Sequence, residues 1–315
     1  MIPLVLVTGF LGSGKTTLLE HLARRHQGRN IVWLVNEFSA RDIDAARLAA
    51  TARDVLAIAG GSIFCRCKAS EFLDLLGTLP DRFHPELVII EASGMADPLV
   101  AGKMLRESGL DRLYAIRSVI AIVDPDSFRK LLHTLPNIRS QVEAATQVLV
   151  NKTDLHPQAA VEATEAAIRE INPDVPLIRT RFAEVDLDLA AVASPDMDRG
   201  ELAPCVDPNF VTYEISPVGE LDLAWLQRAV AREAADVFRL KGIAQTRGQL
   251  HRLDYSASGW RIEEITGSPP AATPTLVLIA RGPVSEAVRE LVQALSGDFT
   301  PAIHSTAPLR FDARR

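Results

Sequence analysis

The chain of 315 residues is 47% hydrophobic and 23% charged, values typical of ordinary globular domains. This composition excludes a disordered, collagen-like or coiled-coil protein, and the length favours two domains. The net charge of −6, without a basic cluster, argues against a nucleic-acid-binding groove, which needs a face rich in Lys and Arg.

The apolar runs, the N-terminal residues and the number of cysteines indicate where in the cell the protein is located. The longest apolar runs, Leu87–Ile90 and Ser118–Val123, are far shorter than the ~20 residues that a membrane helix needs. The N-terminus lacks the basic region and the cleavage site of a secretory signal. Three cysteines are too few for a disulfide framework, and their odd number fits a reducing compartment. We therefore expect a cytoplasmic protein without a membrane partner.

In residues 1–184, short apolar runs alternate with amphipathic stretches. The stretches, such as Thr16–Arg25 and Gln158–Ile171, are long enough for crossover helices. The apolar runs are typical of buried parallel strands, and they are Leu4–Thr8, Ile31–Asn36, Leu87–Glu91, Val119–Asp124 and Val148–Asn151. This alternation predicts an α/β domain with a doubly wound, mainly parallel sheet.

A second, smaller domain is expected after residue 208. Residues 185–208 are rich in Asp, Ala, Pro and Gly, which is typical of a linker. Residues 209–315 hold two amphipathic stretches, Leu221–Glu233 and Val284–Leu295, that predict helices. Five strand-like runs accompany them and predict an α+β domain: Phe210–Ile215, Val237–Ala244, Gln249–Tyr255, Trp260–Glu264 and Thr275–Ala280.

A glycine-rich loop follows the first predicted strand. Residues 9–16, with Gly9, Gly12, Ser13 and Gly14, match the phosphate-loop pattern G-x4-G-K-[ST] and open a predicted helix. Glycines let backbone N–H groups approach phosphate oxygens, and the helix N-terminus adds its positive dipole end. We expect Lys15 to bridge the β- and γ-phosphates, Thr16 to bind Mg²⁺ and Thr17 to reach the α-phosphate. The alternative is a glycine turn beside a surface lysine.

The strand Val148–Asn151 ends in the sequence Asn-Lys-Thr-Asp. Ligands of such sheets bind at the carboxyl ends of strands. There Asp154 can accept hydrogen bonds from N1–H and the N2 amino group of guanine, donors that adenine does not offer in that arrangement. We expect Asn151 to tie this base loop to the phosphate loop and the stem of Lys152 to cover the base. Alternatively, Asp154 caps the helix that follows it.

Two further strand ends carry acids. Leu87–Glu91 followed by Gly94 resembles a Walker B strand, so we expect Glu91 to meet Mg²⁺ and the Gly94 N–H to sense the γ-phosphate. Asn36 and Glu37 begin a polar loop running to Asp44 that is typical of a first switch. A solvated loop acid is the alternative for Glu37.

Together these residues resemble the CobW family of GTPases, which are relatives of the UreG and HypB metallocentre-assembly GTPases. The resemblance covers most of the chain, and its segments are residues 9–17, 35–38 with Asp44, 91–98, 123–124, 151–155 and 238–243. The Glu-x-x-Gly-x-Ala-Asp-Pro and Arg-x-Lys-Gly elements are far more particular than a phosphate loop. The resemblance implies GTP-dependent handling of Zn²⁺ or Co²⁺ for a client metalloprotein or cofactor pathway, with slow GTP hydrolysis.

The metal motif departs from the family. The family usually carries Gly-Cys-x-Cys-Cys, whereas residues 61–65 here are Gly-Ser-Ile-Phe-Cys, and Cys67 follows two residues later. If Glu37, Cys65 and Cys67 bind Zn²⁺ or Co²⁺, a fourth ligand must come from elsewhere, for example a client, because zinc sites are tetrahedral. Alternatively, both cysteines are ordinary, partly buried thiols.

The sequence is compatible with three functions. The first is a GTP-hydrolysing metallochaperone or metal-insertion factor, in which nucleotide state tunes metal affinity. The second is a GTP-switched activator or assembly protein that has lost the metal site. The third, a P-loop kinase for a small molecule, fits the guanine motif and the second domain poorly.

Overall fold

The computed structural model describes residues 1–37, 48–59, 62–66, 68–187, 189, 197–199, 202, 210–256, 259–265 and 274–296, with only the backbone of Glu37 and Ala59. The chain divides into two compact units, Met1–Asp207 and Pro208–Arg315. In this part of the chain, none of the helices has the length and apolar character needed to cross a bilayer.

The first unit contains a seven-stranded parallel sheet in the order β3-β2-β4-β1-β5-β6-β7. Its described strands are β1 (Ile2–Thr8), β2 (Ile31–Glu37), β3 (Asp54–Ala59), β4 (Leu87–Glu91), β5 (Tyr114–Val123), β6 (Gln147–Val150) and β7 (Leu177–Arg179). Because β1 lies inside the sheet and the chain winds outward on both sides of it, the predicted doubly wound parallel fold is confirmed.

Helices connect these strands. The described helices of the first unit are α1 (Lys15–Arg25), α2 (Ala69–Phe83), α3 (Ala101–Glu107), α4 (Pro125–Leu131), α5 (Pro136–Glu143) and α6 (Gln158–Ile171), with 3₁₀ turns at Pro98–Val100 and Leu110–Arg112. Pro125 and Pro136 open α4 and α5, where a missing N–H costs nothing.

Alternating residues of β1 join two different cores. Leu4 and Leu6 pack in one cluster with buried residues of α2 and α3, whereas Val5 and Val7 pack in another with α1. Successive side chains of a strand point to opposite faces of its sheet. The sheet is therefore covered by apolar side chains on both faces, and its carboxyl edge remains for loops.

Several elements differ from the sequence-based expectation. The edge strands β3 and β7 and the helices α2 to α5 were not predicted individually. The fourth and fifth predicted strands end one residue earlier than expected, because Asp124 caps α4 and Asn151 already belongs to the loop after β6. Both residues are nevertheless buried.

Part of the segment predicted as a linker packs against the first unit. Leu187, Leu189 and Met197 are buried in the two cores of that unit. Met197 O also accepts hydrogen bonds from the backbone N–H groups of Gly102 and Lys103 in α3. These residues extend the first unit beyond residue 184.

The second unit is an antiparallel five-stranded sheet in the order β11-β10-β9-β12-β8, which confirms the smaller α+β domain. Its described elements are β8 (Phe210–Ile215), α7 (Leu223–Arg232), β9 (Val237–Thr246), β10 (Gln249–Ser256), β11 (Gly259–Glu264), β12 (Thr275–Arg281) and α8 (Glu286–Ser296). Apolar side chains of α7 and α8 share one core with alternate residues of the sheet, among them Leu240, Leu276 and Leu278.

Candidate functional site

The phosphate loop joins β1 to α1 and has no room for side chains at two of its glycines. Gly14 adopts φ +117° at the N-cap of α1, and a Cβ there would lie 2.5 Å from Asn151 Nδ2. At Gly9, with φ +144°, a Cβ would lie 2.1 Å from the backbone oxygen of Ile122. Only glycine fits both the backbone conformation and the space.

Lys15 is buried inside this loop. Its Nζ donates to the backbone oxygens of Gly9 at 2.8 Å and Phe10 at 3.2 Å, so the side chain curls over the loop that precedes it. Thr16 and Thr17 follow in the first turn of α1 and are half-buried. The ammonium group and the positive end of the helix dipole therefore converge on one loop.

Two buried hydroxyl groups adjoin the loop. Within the described part of the chain, Thr8 Oγ1 and Ser13 Oγ have no hydrogen-bond partner. Buried polar atoms are normally hydrogen-bonded, so unsatisfied ones mark a site that a ligand or its hydration can complete. Ser13 belongs to the glycine loop, and Thr8 directly precedes it.

Glu91 and Gly94 lie at the same edge. Glu91 ends β4, is 5% exposed and pairs in register with Val7 of β1 and Val35 of β2. A Cβ on Gly94 would lie 2.8 Å from the backbone nitrogen of Leu11 in the phosphate loop. The Glu91–Gly94 turn is therefore pressed directly against the phosphate loop.

Gln141 fixes this turn, a role that the sequence analysis missed. Its amide Nε2 donates to the backbone oxygens of Gly94 at 3.1 Å and Ala96 at 3.3 Å, and the side chain is buried. Asp97 ends the turn and accepts a hydrogen bond from Leu99 N, while burial raises the pKa of its carboxyl group. No local signal marks Gln141, because it lies 47 residues from Gly94.

Asn151 joins the base loop to the phosphate loop. Its Nδ2 donates to the backbone oxygen of Ser13 at 2.9 Å. Its Oδ1 accepts from Thr180 Oγ1 at 3.0 Å and from the backbone N–H of Ala183 at 2.9 Å. With 2% exposure, Asn151 thereby holds three loops at the carboxyl edge of the sheet.

Lys152 makes a second link between the two loops. Its Nζ donates to the backbone oxygen of Gly12 at 2.6 Å and to Asp124 Oδ2 at 2.9 Å. Its backbone adopts φ +60°, a left-handed conformation that is uncommon outside glycine. His156 Nε2 lies 3.2 Å from the other carboxylate oxygen, Asp124 Oδ1. No role for Asp124 or His156 could be predicted from the sequence.

Asp154 is exposed at the tip of the base loop. A cavity of about 550 Å³ lies beside this loop, and its lining includes Thr153, His156, Thr180 and Arg181. Thr153 contacts Thr180 through its N–H and its hydroxyl, so the base loop and the loop after β7 form one wall. A purine-sized ligand fits a space of this volume.

The cysteine loop, residues 62–66, has a different character. Ile63, Phe64 and Cys65 are all buried, and the Phe64 ring packs edge-on against Phe72 with a centroid distance of 6.2 Å. Asn36, the penultimate residue of β2, accepts a hydrogen bond from Ile63 N and donates to Ile58 O. Apolar packing therefore holds the position where the family motif places a second thiolate.

The expected transition-metal ligands are only partly within the described structure. Cys67 and the side chain of Glu37 lie outside it, and Cys65 is described and buried. Among the residues that the structure describes, no group of three or more His, Cys, Asp and Glu side chains could hold a metal ion. A complete site there would need at least the two side chains that lie outside.

The residues at the phosphate loop fit a nucleoside triphosphate with Mg²⁺. The glycine cradle, the buried Lys15 ammonium and the two unsatisfied hydroxyls suit phosphate oxygens. Thr16 and Glu91 offer the hydroxyl and carboxylate oxygens that Mg²⁺ prefers. These donors all belong to loops at one edge of the sheet.

The chain is similar to known metallochaperones. Over 194 residues it is 30% identical to the zinc chaperone YjiA of Escherichia coli (strain K12), and the alignment covers 60% of each protein. It is 27% identical to the zinc chaperone CobW of a Sinorhizobium species over 311 residues, which covers 84% of this chain and 87% of that protein. The chain thus spans about three fifths of the length of YjiA and most of that CobW protein.

The chain is also similar to a yeast protein and to one solved structure. The zinc-regulated GTPase metalloprotein activator 1 of Saccharomyces cerevisiae (strain ATCC 204508 / S288c) is 26% identical over 214 residues, with 59% of this chain and 49% of that protein covered. The crystal structure of Zn(II)-bound YjiA GTPase from E. coli covers 95% of this chain and 99% of that one, at 20% identity and a TM-score of 0.46.

Two family models match the two units in turn. Residues 210–296 match the cobalamin synthesis protein cobW C-terminal domain. Residues 3–179, which hold the phosphate loop, the Glu91–Gly94 turn and the base loop, match the CobW/HypB/UreG nucleotide-binding domain. The chain therefore belongs to the CobW/HypB/UreG family of nucleotide-binding proteins.

Proposed function

We propose that this protein binds GTP, hydrolyses it slowly, and couples nucleotide state to the delivery of Zn²⁺ or Co²⁺ to a client metalloprotein or cofactor-assembly protein. The observation that carries the nucleotide part is the double link between the base loop and the phosphate loop, Asn151 to Ser13 O and Lys152 to Gly12 O. A nucleotide has a base and a phosphate chain joined at a fixed length, and these links hold the two recognition loops at one spacing.

The base loop favours guanine. Asp154, exposed at the loop tip, would accept from N1–H and the N2 amino group of the base. Replacing Asp154 by Asn should move preference from GTP toward xanthosine triphosphate, because the amide can donate to the extra oxygen of xanthine while its carbonyl still accepts. Competition binding with both nucleotides measures this shift, and an Asp154→Asn variant that retains full GTP preference would remove Asp154 from base recognition.

In the proposed hydrolysis, some residues of the site would bind the phosphates and others would bind Mg²⁺. Lys15 would bind the β- and γ-phosphates, Thr17 the α-phosphate, and the Gly94 N–H would report the γ-phosphate. Thr16 and Glu91 would hold Mg²⁺, which when bound neutralises charge that develops on the phosphates. Because the described site contains no arginine finger, turnover should be roughly 10⁻⁴ to 10⁻² per second, as in unaided GTPases.

Replacement of Thr16 and Glu91 tests their proposed role as Mg²⁺ ligands. Thr16→Ala and Glu91→Gln should lower kcat for GTP more than they weaken GDP binding, since charge stabilisation matters most in the transition state. Single-turnover hydrolysis with and without divalent metal measures the effect. Full turnover in the absence of divalent metal would contradict the proposal.

The metal cargo is supported by the zinc chaperones among the relatives and by the cysteine loop. Cys65, Cys67 and Glu37 would supply three ligands, and the client would supply a fourth. Asn36 bonds directly to this loop and precedes Glu37, so movement of the first switch would be transmitted to the loop. Thiolates bind metal only when deprotonated, so affinity should rise with pH through thiol titration.

A specific observation favours the second candidate function, a GTP-switched activator or assembly protein without its own metal. Phe64 is 1% exposed and packs against Phe72, so this residue serves the apolar core rather than a metal. Cys65, the next residue, is buried in the same way, with 4% exposure.

A cobalt titration in two nucleotide states separates the candidates. The metallochaperone predicts about one Co²⁺ per chain, a thiolate charge-transfer band, and tighter binding with a GTP analogue than with GDP. Cys65→Ser should weaken binding strongly and Cys67→Ser less. Absence of the band in both states would leave the activator as the function.

A further inference from the structure

The Asp124 carboxylate is a buried anion at the centre of the nucleotide edge. It is 1% exposed and lies at the N-cap of α4, where its Oδ1 accepts from the backbone N–H of Asp126 at 3.0 Å. Lys152 Nζ donates to Oδ2 at 2.9 Å, and His156 Nε2 approaches Oδ1 at 3.2 Å. Both carboxylate oxygens therefore face a polar partner.

A buried carboxylate is costly unless it is paired, so this arrangement constrains its partners. A helix cap alone needs no charge, because Ser and Asn cap about as well as Asp. The ion pair with Lys152 is the feature that requires an aspartate. Lys152 itself has only 17% of its side chain exposed and bonds to Gly12 O with the same Nζ atom.

The pair fixes the conformation of the base loop. Lys152 has a left-handed backbone at φ +60°, which a lysine adopts only when surrounding contacts determine it. Its ammonium group is anchored at two points that lie 28 residues and 140 residues away in sequence. Since Asn151 and Asp154 are its close neighbours in the chain, anchoring Lys152 also orients the residue that reads the base.

We propose that Asp124 is a positioning residue for guanine recognition: through its ion pair with Lys152 it holds the base loop against the phosphate loop in the geometry that Asp154 needs. This inference rests on the proposed GTP-binding function. It assigns Asp124 no contact with the nucleotide. Its effect should therefore fall on the base, which GTP and GDP share, and not on the γ-phosphate.

The Asp124→Asn variant tests the ion pair with little change in shape. The amide oxygen still caps α4, but the NH₂ group cannot accept from Lys152. We expect the dissociation constants of GTP and GDP to rise by the same factor, about tenfold, which is a typical coupling for residues in one buried network. KM for GTP should rise while kcat at saturating GTP stays unchanged, as for lost uniform binding.

A double-mutant cycle separates this role from simple destabilisation. Lys152→Met should weaken GTP binding, and adding Asp124→Asn to it should weaken binding little further, because the interaction is already absent. Asp126→Asn, an acid on the same helix that pairs with Lys130 at the surface, serves as the matched control and should leave GTP binding unchanged. Asp124→Ser, which keeps a capping oxygen, replaces Asp124→Asn if that variant does not fold.

The outcomes are distinct. Equal losses for GTP and GDP with non-additive variants support the inference. Additive losses, unchanged affinity, or a loss confined to GTP would overturn it while leaving GTP binding by the unmodified protein intact. If the unmodified protein itself shows no preference for guanine over adenine nucleotides, the proposed function fails, and this positioning role fails with it.

Discussion

The nucleotide edge and the cysteine loop are stabilised in opposite ways. At the nucleotide edge, the buried side chains of Asn151 and Gln141 and the half-buried side chain of Lys152 bond to loops that are 47 to 140 residues away in sequence. In the cysteine loop the buried side chains Ile63 and Phe64 pack into an apolar core. Nucleotide chemistry is thus supported by many mutual contacts, whereas metal chemistry would depend on a few thiols.

The largest expected effect is at the nucleotide edge. Lys15→Ala should reduce GTP affinity by more than about a hundredfold, because it removes a buried charge from the phosphate-binding loop. Isothermal titration with GTP measures the loss, and Lys130→Ala, at an exposed lysine of α4, is the control. GTP binding by Lys15→Ala at the unmodified affinity would contradict the phosphate-loop assignment.

The next prediction tests the apolar packing of the cysteine loop, which contrasts with the polar contacts of the nucleotide edge. Phe64→Ala should lower the free energy of unfolding by about 3–5 kcal/mol, since truncating a buried aromatic leaves a cavity. Chemical denaturation measures it, with Phe182→Ala at a 69% exposed position as the control. A loss below about 1 kcal/mol would mean that Phe64 is not a core residue.

Gln141 tests the long-range polar contacts of the nucleotide edge, because its buried amide reaches from α5 to the turn that contains Gly94. Gln141→Leu leaves the backbone oxygens of Gly94 and Ala96 without this donor, at a cost of about 1–3 kcal/mol in stability. Affinity for a GTP analogue should fall more than affinity for GDP, because the Gly94 N–H is the group that we propose senses the γ-phosphate. Parallel titrations measure the ratio, and Gln147→Leu, which removes a half-buried amide at the start of β6 that donates to Ser118 Oγ, is the matched control. Equal losses for both nucleotides would be inconsistent with this role.

The smallest effect is expected far from both regions, at His26 after the last turn of α1. Burial is the main cause that lowers the pKa of His26 below its usual value, and the positive charges of the nearby Arg29 and Arg25 lower it further. Between the lowered pKa of folded His26 and the usual histidine pKa, the unfolded chain binds more protons than the folded chain. The contribution of neutral His26 to the free energy of unfolding is therefore complete above the usual histidine pKa and is lost as the pH falls through the lowered pKa of the folded state. In thermal denaturation, His26→Gln should flatten the pH dependence in that window; an unchanged slope would contradict it.

The sequence predicted those parts of the fold and site that have local signals. Continuous apolar runs gave the inner strands, and the glycine spacing located the loop before α1. The edge strand β3 was missed because it begins with Asp54 and contains two alanines, residue types that are depleted in strands, and α2 was missed because Gly77 and Pro80 interrupt its helical pattern. Local signals therefore identified the centre of the sheet better than its margins.

The contacts that join the site could not be predicted from local patterns. Asp124, Gln141 and His156 act through partners that only the fold brings near, and none occupies a distinctive motif by itself. The burial of Phe64 was equally hard to predict, because the three-residue run Ile63–Cys65 is too short to indicate whether it packs in a core or replaces a metal ligand. These features depend on tertiary packing.

The affinity of the unmodified protein for GTP, measured in competition with ATP in the presence of Mg²⁺, tests the central claim most directly. We expect a preference for GTP of at least about a hundredfold, because Asp154 can accept hydrogen bonds from two guanine N–H groups that adenine does not offer, and a site that hydrogen-bonds one base discriminates against a base that leaves its polar groups unpaired. Equal affinities for GTP and ATP would contradict the account, since the base loop would then not read the base.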